Sequence, residues 1–472
     1  MTGTPTIHPH IYVSQPLIQE PGTAPHSAVL HRDTHFIPKK AIGGKGCYIF
    51  LEDGQKFLDS TGGAAVSCLG HGHEKVTKAV VDQINQFSYC HSAFFGTQVS
   101  EDLATFLVDS TGGRLSKVYV VSSGSEAMEA ALKLARQYYL ELPTPQPQRT
   151  RFISRVPSYH GITLGALGAG GHMIRREPFE PIIAQNTSHV SPCFAYRGKK
   201  DGESDADYVD RLAAELDAEF HRVGPDNVCA FIAEPVVGAA LGAVPAVPGY
   251  FSAMKAICEK HGALFILDEV MSGMGRTGTL HAWEQENVVP DMQTIGKGLG
   301  GGYVPVSAVL IGDKIVQVLD KGTGAFRHGQ TYQGHPVACA AALAVQRVIK
   351  EENLLQNVRA MGTYLGERLM KEIGDHPNVG DIRGKGLFWG IEFVKNKTTK
   401  EPFPKVGAMA FLVQETGMQP KYSISLYAGS GTVGGTTGDH VLLAPPYNVT
   451  KEEINLIVDT TGAVIRDVFS GV

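Results

Sequence analysis

The amino-acid sequence predicts an α/β protein: a mostly parallel β-sheet flanked by helices, with a smaller α+β domain formed from the two ends of the chain. From about residue 75 to residue 345, helical hydrophobic patterns alternate with short apolar strands, an order typical of a parallel sheet covered on both faces. The chain has 472 residues, of which 43% are hydrophobic, and can therefore bury one large core and a smaller one.

The predicted elements begin with an arm. The first forty residues are rich in Pro, His and Thr and have no hydrophobic period, so we expect them to pack on another surface. Asp53-Gly54 then predicts a β-hairpin over residues 46–59. The short apolar runs that follow predict the strands of the large sheet, at residues 118–121, 152–154, 228–233, 264–267 and 306–311.

The C-terminal part of the chain predicts a second, smaller set of elements. Helical patterns cover residues 337–351 and 353–374, and a strand–turn–strand pattern follows at 381–394. The stretch 428–438 has no charge and almost no bulky side chain, which predicts a mobile loop. We therefore expect an N-terminal arm with part of the small domain, a large domain and a C-terminal small domain, at residues 1–74, 75–345 and 346–472 respectively.

Composition disfavours several classes of function. The net charge of −5 provides no basic surface for nucleic acid. The seven cysteines include no C-x-x-C pair, which disfavours a zinc site or a disulfide framework and favours a reducing compartment. Residues 1–30 lack the basic start and apolar core of a signal peptide, and no uncharged apolar run reaches membrane-spanning length. We therefore expect a cytoplasmic protein with no metal and no membrane partner.

Two residues indicate the chemistry. Lys297 lies in a glycine-rich turn, about one strand-and-helix unit after Asp268, which follows the apolar strand at 264–267. A lysine amine can condense with an aldehyde, and a carboxylate can keep a pyridine nitrogen protonated so that the ring accepts electrons. Pyridoxal phosphate chemistry requires both groups. Taken alone, Lys297 also fits a solvated loop lysine, and Asp268 fits a helix cap.

Three further segments support this interpretation. The run 122–125, Ser-Ser-Gly-Ser, joins a strand to a helical pattern and leaves backbone N–H groups at the positive end of a helix dipole, where a phosphate is favoured. An ordinary capped helix start is the alternative for this run. The other two segments are Ser-Tyr-His-Gly at 158–161 and Gly-Gln-Thr-Tyr-Gln-Gly-His-Pro at 329–336.

In this order, the motifs resemble those of class III aminotransferases, the ω-aminotransferase group of fold type I pyridoxal phosphate enzymes. The resemblance extends from about residue 40 to residue 460. It implies a transaminase that moves an amino group from a primary amine or ω-amino compound to a keto acid. It also implies pyridoxal 5'-phosphate as the cofactor and a homodimer with shared active sites.

The resemblance implies a role for each motif residue. Lys297 would form the Schiff base with the cofactor, and Asp268 would pair with the ring nitrogen. Val270 and Tyr159 would pack on the two faces of the ring, and Thr331 would reach the phosphate of the neighbouring subunit. The backbone of the phosphate turn and the strand ends complete the implied cofactor site, at Ser123, Gly124, Ser125, His160, Glu234 and Met271.

The chain departs from the family where substrate carboxylates are bound. Members that act on ornithine or 4-aminobutyrate have charged residues at three positions that are Ile162, Ala239 and Leu442 here. The mobile arginine of amine transaminases falls near Gly435. These departures favour apolar amines, because an unpaired carboxylate in an apolar pocket loses several kcal/mol of solvation. Another cation, such as Lys421, remains an alternative carboxylate partner.

Other functions remain open on the sequence. A racemase, epimerase or lyase of the same family would share Lys297 and Asp268. A binding protein that has lost catalysis is disfavoured by the intact lysine. Residues 296–301 also spell G-x-G-x-x-G, but Pro305 and a strand follow where a nucleotide-binding motif would begin a helix.

Overall fold

The computed structural model describes residues 27–404 and 406–470. Its strands are, in chain order, β1 (Ala41–Lys45), β2 (Tyr48–Leu51), β3 (Lys56–Leu58), β4 (Lys117–Val121), β5 (Arg151–Arg155), β6 (Thr187–Val190), β7 (Val228–Ala233), β8 (Val236–Val237), β9 (Val244–Pro245), β10 (Leu264–Asp268), β11 (Met292–Ile295), β12 (Ser307–Ile311), β13 (Val379–Lys385), β14 (Phe388–Phe393), β15 (Tyr427–Val433) and β16 (Thr437–Leu443).

The α-helices alternate with these strands through the middle of the chain and dominate its last third. They are α1 (Gly62–Ala65), α2 (Glu74–Gln86), α3 (Gln98–Ser110), α4 (Gly124–Glu141), α5 (Leu164–Ala169), α6 (Met173–Arg176), α7 (Ala195–Gly198), α8 (Asp205–Val223), α9 (Tyr250–Lys260), α10 (Asp313–Lys321), α11 (Pro336–Glu351), α12 (Leu354–Ile373), α13 (Ala408–Gly417) and α14 (Lys451–Phe469). Short 3₁₀ helices occur at Glu177–Ile182, Pro225–Asn227, Ala282–Glu286 and Lys297–Leu299. Within the described ranges, no helix is both long and apolar enough to cross a membrane.

The large sheet has seven strands in the order β4-β12-β11-β10-β7-β5-β6. Its pairs are parallel except on the two sides of β12, which runs antiparallel to β11 and to β4. Side chains alternate between the two faces: in β10, Leu264 and Ile266 join the core beneath α4, and Phe265 and Leu267 join the core beneath α8 and α9. The predicted sheet with helices on both faces is therefore confirmed.

The sequence did not predict two strands of this sheet, β6 and β11. Polar side chains interrupt both, and in β11 the interrupting residues Gln293 and Thr294 are fully buried. Their polar atoms bond to partners far along the chain: Gln293 to Glu269 and Trp283, and Thr294 to Asp268. An apolar run is therefore not required for burial here, since the hydrogen bonds offset the cost of desolvation.

The smaller sheets lie toward the two ends of the chain. The predicted hairpin at 46–59 forms β2 and β3, which pair with β1 in a three-stranded antiparallel sheet. A bridge from Leu58 to Ile424 joins this sheet to the C-terminal part. The C-terminal sheet is antiparallel, in the order β13-β14-β16-β15. Of the predicted N-terminal arm, residues 1–26 lie outside the described residues.

The prediction of a mobile loop at 428–438 is wrong. Residues 428–433 belong to β15 and residues 437–438 to β16, with a turn at 434–436 between them. The two strands pair with each other, and β16 also pairs with β14. Strand pairing satisfies backbone N–H and C=O groups without bulky side chains. The small residues have a packing role as well, because a Cβ on Gly429 would collide with the buried ring of His440.

Candidate active site

A cavity of about 250 Å³ opens at the carboxyl edge of the large sheet. Parallel strands direct their carboxyl ends to one edge, and the neighbouring strands β7, β10 and β11 bring Glu234, Asp268 and Lys297 together there. The cavity is lined by Val66, Ser122, Ser123, Gly124, Ser125, Tyr159, His160, Gly161, Glu234, Asp268, Val270, Met271, Lys297, Val304, Pro305, Val306 and Ser307. Every predicted site residue except Thr331 is among them.

One residue, Gly296, separates Lys297 from the end of β11, and its backbone is extended. A Cβ on Gly296 would collide with the Ser307 hydroxyl, so a close backbone approach explains the glycine. Lys297 itself has a φ of 45°, a left-handed conformation that costs a non-glycine residue on the order of 1 kcal/mol or more. Its Nζ has no hydrogen bond within the described part of the chain. Burial lowers the pKa of this amine and Arg175 adds to the effect, while Asp268 and Glu234 oppose it.

The Asp268 carboxylate is fixed on both oxygens. Oδ1 accepts hydrogen bonds from the Thr294 hydroxyl and the Val270 N–H, each at 3.1 Å. Oδ2 lies 2.8 Å from Nδ1 of His160, which must be the donor because a carboxylate oxygen accepts. The opposite ring nitrogen of His160, Nε2, is buried without a partner among the described residues. This network holds the carboxylate in one orientation toward the cavity.

Glu234 fixes the segment that carries Tyr159. Its Oε1 accepts from the Tyr159 N–H at 3.1 Å and its Oε2 accepts from the Gly238 N–H at 2.9 Å. Burial raises the pKa of the Glu234 carboxyl, His160 lowers it and Asp268 raises it further. The Tyr159 ring faces the cavity, and the guanidinium carbon of Arg175 lies 4.7 Å from its centroid.

The helix α4 presents its N-terminus to the same cavity. Ser123 caps the helix in a reciprocal capping box with Glu126, whose carboxylate accepts from the N–H groups of Ser122 and Ser123. The next two N–H groups, of Gly124 and Ser125, have no acceptor inside the helix and lie at the positive end of its dipole. A Cβ on Gly124 would lie 2.8 Å from Val270 Cγ1, so only glycine allows this packing. The arrangement suits an anion.

Thr331 lies apart from the cavity. It is exposed, and its carbonyl oxygen accepts a hydrogen bond from the Tyr89 hydroxyl at 2.9 Å. Phe94 and Phe95 are 76% and 65% exposed, so the aromatic residues near this segment neither line the cavity nor belong to the core.

The family's carboxylate-binding positions provide no charge in the structure. Ala239 and Leu442 are buried in one apolar cluster with Met271, and Ile162 is exposed. Met271 packs against Gly238, where an added Cβ would collide with its sulfur. Lys421 is on the surface, where it pairs with Asp467 at 3.3 Å, and it does not line the cavity.

Two residues near the cavity had no role in the sequence analysis. Thr294 lies opposite Asp268 in the parallel pair of β10 and β11, and this pairing brings its hydroxyl to the Asp268 carboxylate. Arg175 carried no motif signal, because its proximity to Tyr159 depends on how α6 packs.

Comparison with known proteins gives one consistent result. The model of the family described as "Aminotransferase class-III" matches residues 28–465. An "Aminotransferase" of Gibberella zeae is 51% identical over 92% of this chain and 85% of its own length. A "Vanillin aminotransferase" of Capsicum frutescens is 36% identical over 90% of each chain. The solved ω-transaminase of Pseudomonas jessenii in complex with PMP superposes with a TM-score of 0.86, at 30% identity over 92% of this chain and 94% of that one.

Proposed function

This chain belongs to the class III aminotransferase family and is a pyridoxal-phosphate-dependent transaminase, and from this premise we propose that the cavity around Lys297 is its active site. There the enzyme would move an amino group from a primary amine or ω-amino compound to a keto acid. The observation that supports this most directly is the convergence of Lys297, Asp268 and the N-terminus of α4 on one cavity.

The residues present fit the cofactor. Lys297 offers an amine without a hydrogen-bond partner in the described chain, placed to hold an aldehyde covalently through Nζ. Asp268 offers an oriented carboxylate for the ring nitrogen. Val270 and Tyr159 flank the space for the cofactor ring. The N–H groups at the N-terminus of α4 can donate hydrogen bonds to the cofactor phosphate. When bound, pyridoxal phosphate supplies an electron sink that makes the bond between hydrogen and the amine-bearing carbon of the substrate labile.

The other predicted residues support this arrangement. Ser123 caps α4 and so orders the N–H groups of the following turn. His160 holds Oδ2 of Asp268, and Glu234 holds the backbone of Tyr159. Met271 lines the cavity and packs closely against Gly238.

Proton transfer is the task of Lys297. Because its pKa is lowered by burial, a larger fraction of this amine is neutral near pH 7 than of an ordinary lysine. A neutral Nζ can take the proton from the amine-bearing carbon of a substrate and return it at a second position. Asp268 and Glu234 oppose the loss of charge, so the ammonium formed in between is stabilised as well.

The apolar surroundings favour apolar amine donors. Val66, Val270 and Val304 line the cavity together with Met271. The positions Ile162, Ala239 and Leu442 add no charge that could pair with a donor carboxylate.

Assembly and location belong to the same proposal. We infer a homodimer in which Thr331 of each subunit completes the other subunit's phosphate site, as supported by its exposure outside its own cavity and by the exposed Phe94 and Phe95 nearby. A cytoplasmic location is supported by seven free thiols.

The domain division is proposed at residues 1–74, 75–345 and 346–472, supported by the bridge from Leu58 to Ile424 that joins the two chain ends.

A two-step experiment tests the proposed reaction. Purified holoenzyme is mixed with an arylalkyl amine in the absence of any acceptor, and conversion of the yellow cofactor to its aminated form is followed by absorbance. Pyruvate is then added, and alanine is measured. The proposal predicts both the near-ultraviolet absorbance and stoichiometric alanine. Racemisation or elimination of an amino acid without either product would identify a different member of the family.

A further inference from the structure

The helices α8 and α9 pack over the same face of the large sheet, and three potential metal ligands converge where they meet. These are Asp217, His221 and His261, none of which lines the cavity. Asp217 and His221 are four residues apart on α8 and therefore share one face of that helix. His261 is the residue directly after α9. One ligand atom from each residue lies within 4.8 Å of the other two.

The ring of His261 is held in one orientation. Its side chain is 7% exposed and stacks on the ring of Phe220, with the ring centroids 4.7 Å apart. Its Nε2 lies 2.6 Å from Oδ1 of Asp217. The carbonyl of His261 accepts a hydrogen bond from Arg149 at 3.1 Å, which fixes the backbone as well. A side chain held in this way loses little freedom when it binds a metal, and Nε2 becomes a ligand once its proton is released.

The second histidine can adjust its position. His221 is 60% exposed, and its Nδ1 lies 3.8 Å from Oδ2 of Asp217. The same nitrogen lies 2.8 Å from the carbonyl oxygen of Asp217, one turn earlier in the helix. Bonds of about 2.0–2.1 Å around a tetrahedral zinc ion place neighbouring ligand atoms roughly 3.3 Å apart. Rotation of this exposed side chain is therefore sufficient to close the site.

The surroundings already favour positive charge at this point. Nζ of Lys260 lies 2.8 and 2.9 Å from the two carboxylate oxygens of Asp217. Both helices also end nearby, α8 at Val223 and α9 at Lys260, and the C-terminal end of a helix carries partial negative charge. The Lys260 side chain is 54% exposed, so it can move into solvent at the small cost of a surface ion pair. A divalent cation can then take the place of the ammonium group.

We propose that Asp217, His221 and His261 form a zinc site that joins α8 to α9, and that Lys260 competes with the metal for the carboxylate. Two imidazole nitrogens and a carboxylate oxygen suit Zn²⁺, and water can complete a four-coordinate shell. Mg²⁺ and Ca²⁺ are disfavoured because they prefer six or more oxygen ligands. The expectation of no metal rested on the spacing of the cysteines, which do not contribute here. The site stabilises the packing of the two helices and takes no part in amino transfer.

Calorimetric titration of the holoenzyme with ZnCl₂ tests the site. The protein carries no histidine tag and is first treated with a chelator. We expect one Zn²⁺ per subunit to bind at this cluster. His221→Ala and Asp217→Asn each remove a ligand and should weaken binding by roughly tenfold or more, since loss of even an outer partner of a metal ligand costs 10–100-fold. His35→Ala, at an exposed position outside the cluster, is the matched control and should leave the affinity unchanged.

Lys260→Met is expected to act in the opposite direction. Removal of the competing ammonium group should tighten zinc binding roughly two- to fivefold, the factor that loss of one surface ion pair implies. Lys255→Met is the matched control, because Lys255 lies on the same helix and donates to the carbonyl of Val289 instead. Zinc should also raise the melting temperature of the wild-type protein by a few degrees, because it binds the folded state. Weaker zinc binding in Lys260→Met would refute the proposed competition.

Three further results would overturn the inference. Absence of zinc binding in both the wild-type protein and Lys260→Met would reduce the cluster to a network of ion pairs. Equal affinity in the wild-type protein, His221→Ala and Asp217→Asn would place the metal elsewhere, for example at a free thiol. Equal affinity for Mg²⁺ and Zn²⁺ would mean that the carboxylate alone attracts cations. Because the cluster lies outside the cavity, none of these results depends on the proposed amino transfer.

Discussion

Replacement of Asp268 by Asn is expected to slow the amine half-reaction by roughly 10²–10³-fold while the protein stays folded. The Asn side-chain oxygen can still accept from Thr294 and from the Val270 N–H, so two of the three hydrogen bonds survive. The side-chain NH₂ would then face Nδ1 of His160, which can accept from it once the neutral imidazole takes its other tautomer. The substitution therefore removes the charge of the carboxylate and can keep all three hydrogen bonds.

The magnitude follows from the loss of the charge. Removal of one preorganised partner from a water-poor site costs about 3–4 kcal/mol in the transition state, and each 1.4 kcal/mol is a factor of ten. Thr294→Val is the matched control, because it removes one hydroxyl donor from the same carboxylate and keeps the charge of that carboxylate. A hydrogen bond to a charged group contributes about 1.5 kcal/mol or more, so a loss of about tenfold is expected.

The assay is a single-turnover reaction of holoenzyme with excess amine, followed by cofactor absorbance, with circular dichroism as the check on folding. The order of effects, Asp268→Asn far slower than Thr294→Val, is the critical observation. A rate for folded Asp268→Asn within about threefold of the wild-type rate would refute the reasoning, since Asp268 would then have only a structural role.

Three other outcomes are expected. Lys297→Ala should abolish turnover in steady-state assays and still bind cofactor through its phosphate contacts in equilibrium dialysis; retained transamination would contradict the assignment. Mixing Lys297→Ala subunits with Thr331→Asp subunits should restore activity above that of either parent, because each mixed dimer has one site with neither change. Mixed dimers that form and stay inactive would disprove the shared site. Gly124→Ala should weaken cofactor affinity and lower the melting temperature, since the added Cβ would lie 2.8 Å from Val270, an overpacking that costs about 1–3 kcal/mol. Gly96→Ala, with open space around it, is its control, and equal effects of the two changes would contradict the packing argument.

Local signals explain most of what could be predicted about the site. Glu234, Asp268 and Lys297 each end or follow a strand, and strand ends of a parallel sheet share one edge. The capped start of α4 is likewise encoded by adjacent residues, Ser123 and Glu126. These features need only a few neighbouring residues, so the sequence was sufficient to indicate them.

The errors of the sequence analysis have a common physical cause. The strand β11 is buried with polar side chains, and the glycine-rich β15 has few apolar side chains to bury. A hydrogen bond to Glu269 stabilises Gln293 of β11, and backbone pairing with the next strand, β16, stabilises β15, while β16 pairs in turn with the more distant β14. Hydrophobic periodicity does not report such partners.

The sequence by itself therefore determined the fold class and the cofactor chemistry, and it indicated ten of the seventeen residues that line the cavity, because each depends on short segments in a known order. Tertiary structure alone decided which neighbours orient those residues. The contact of Thr294 with Asp268 arises from the pairing of β10 and β11. The position of Arg175 against Tyr159 arises from the packing of α6 on the hairpin of β15 and β16. Distances between segments far apart in the chain are fixed only when the whole core packs.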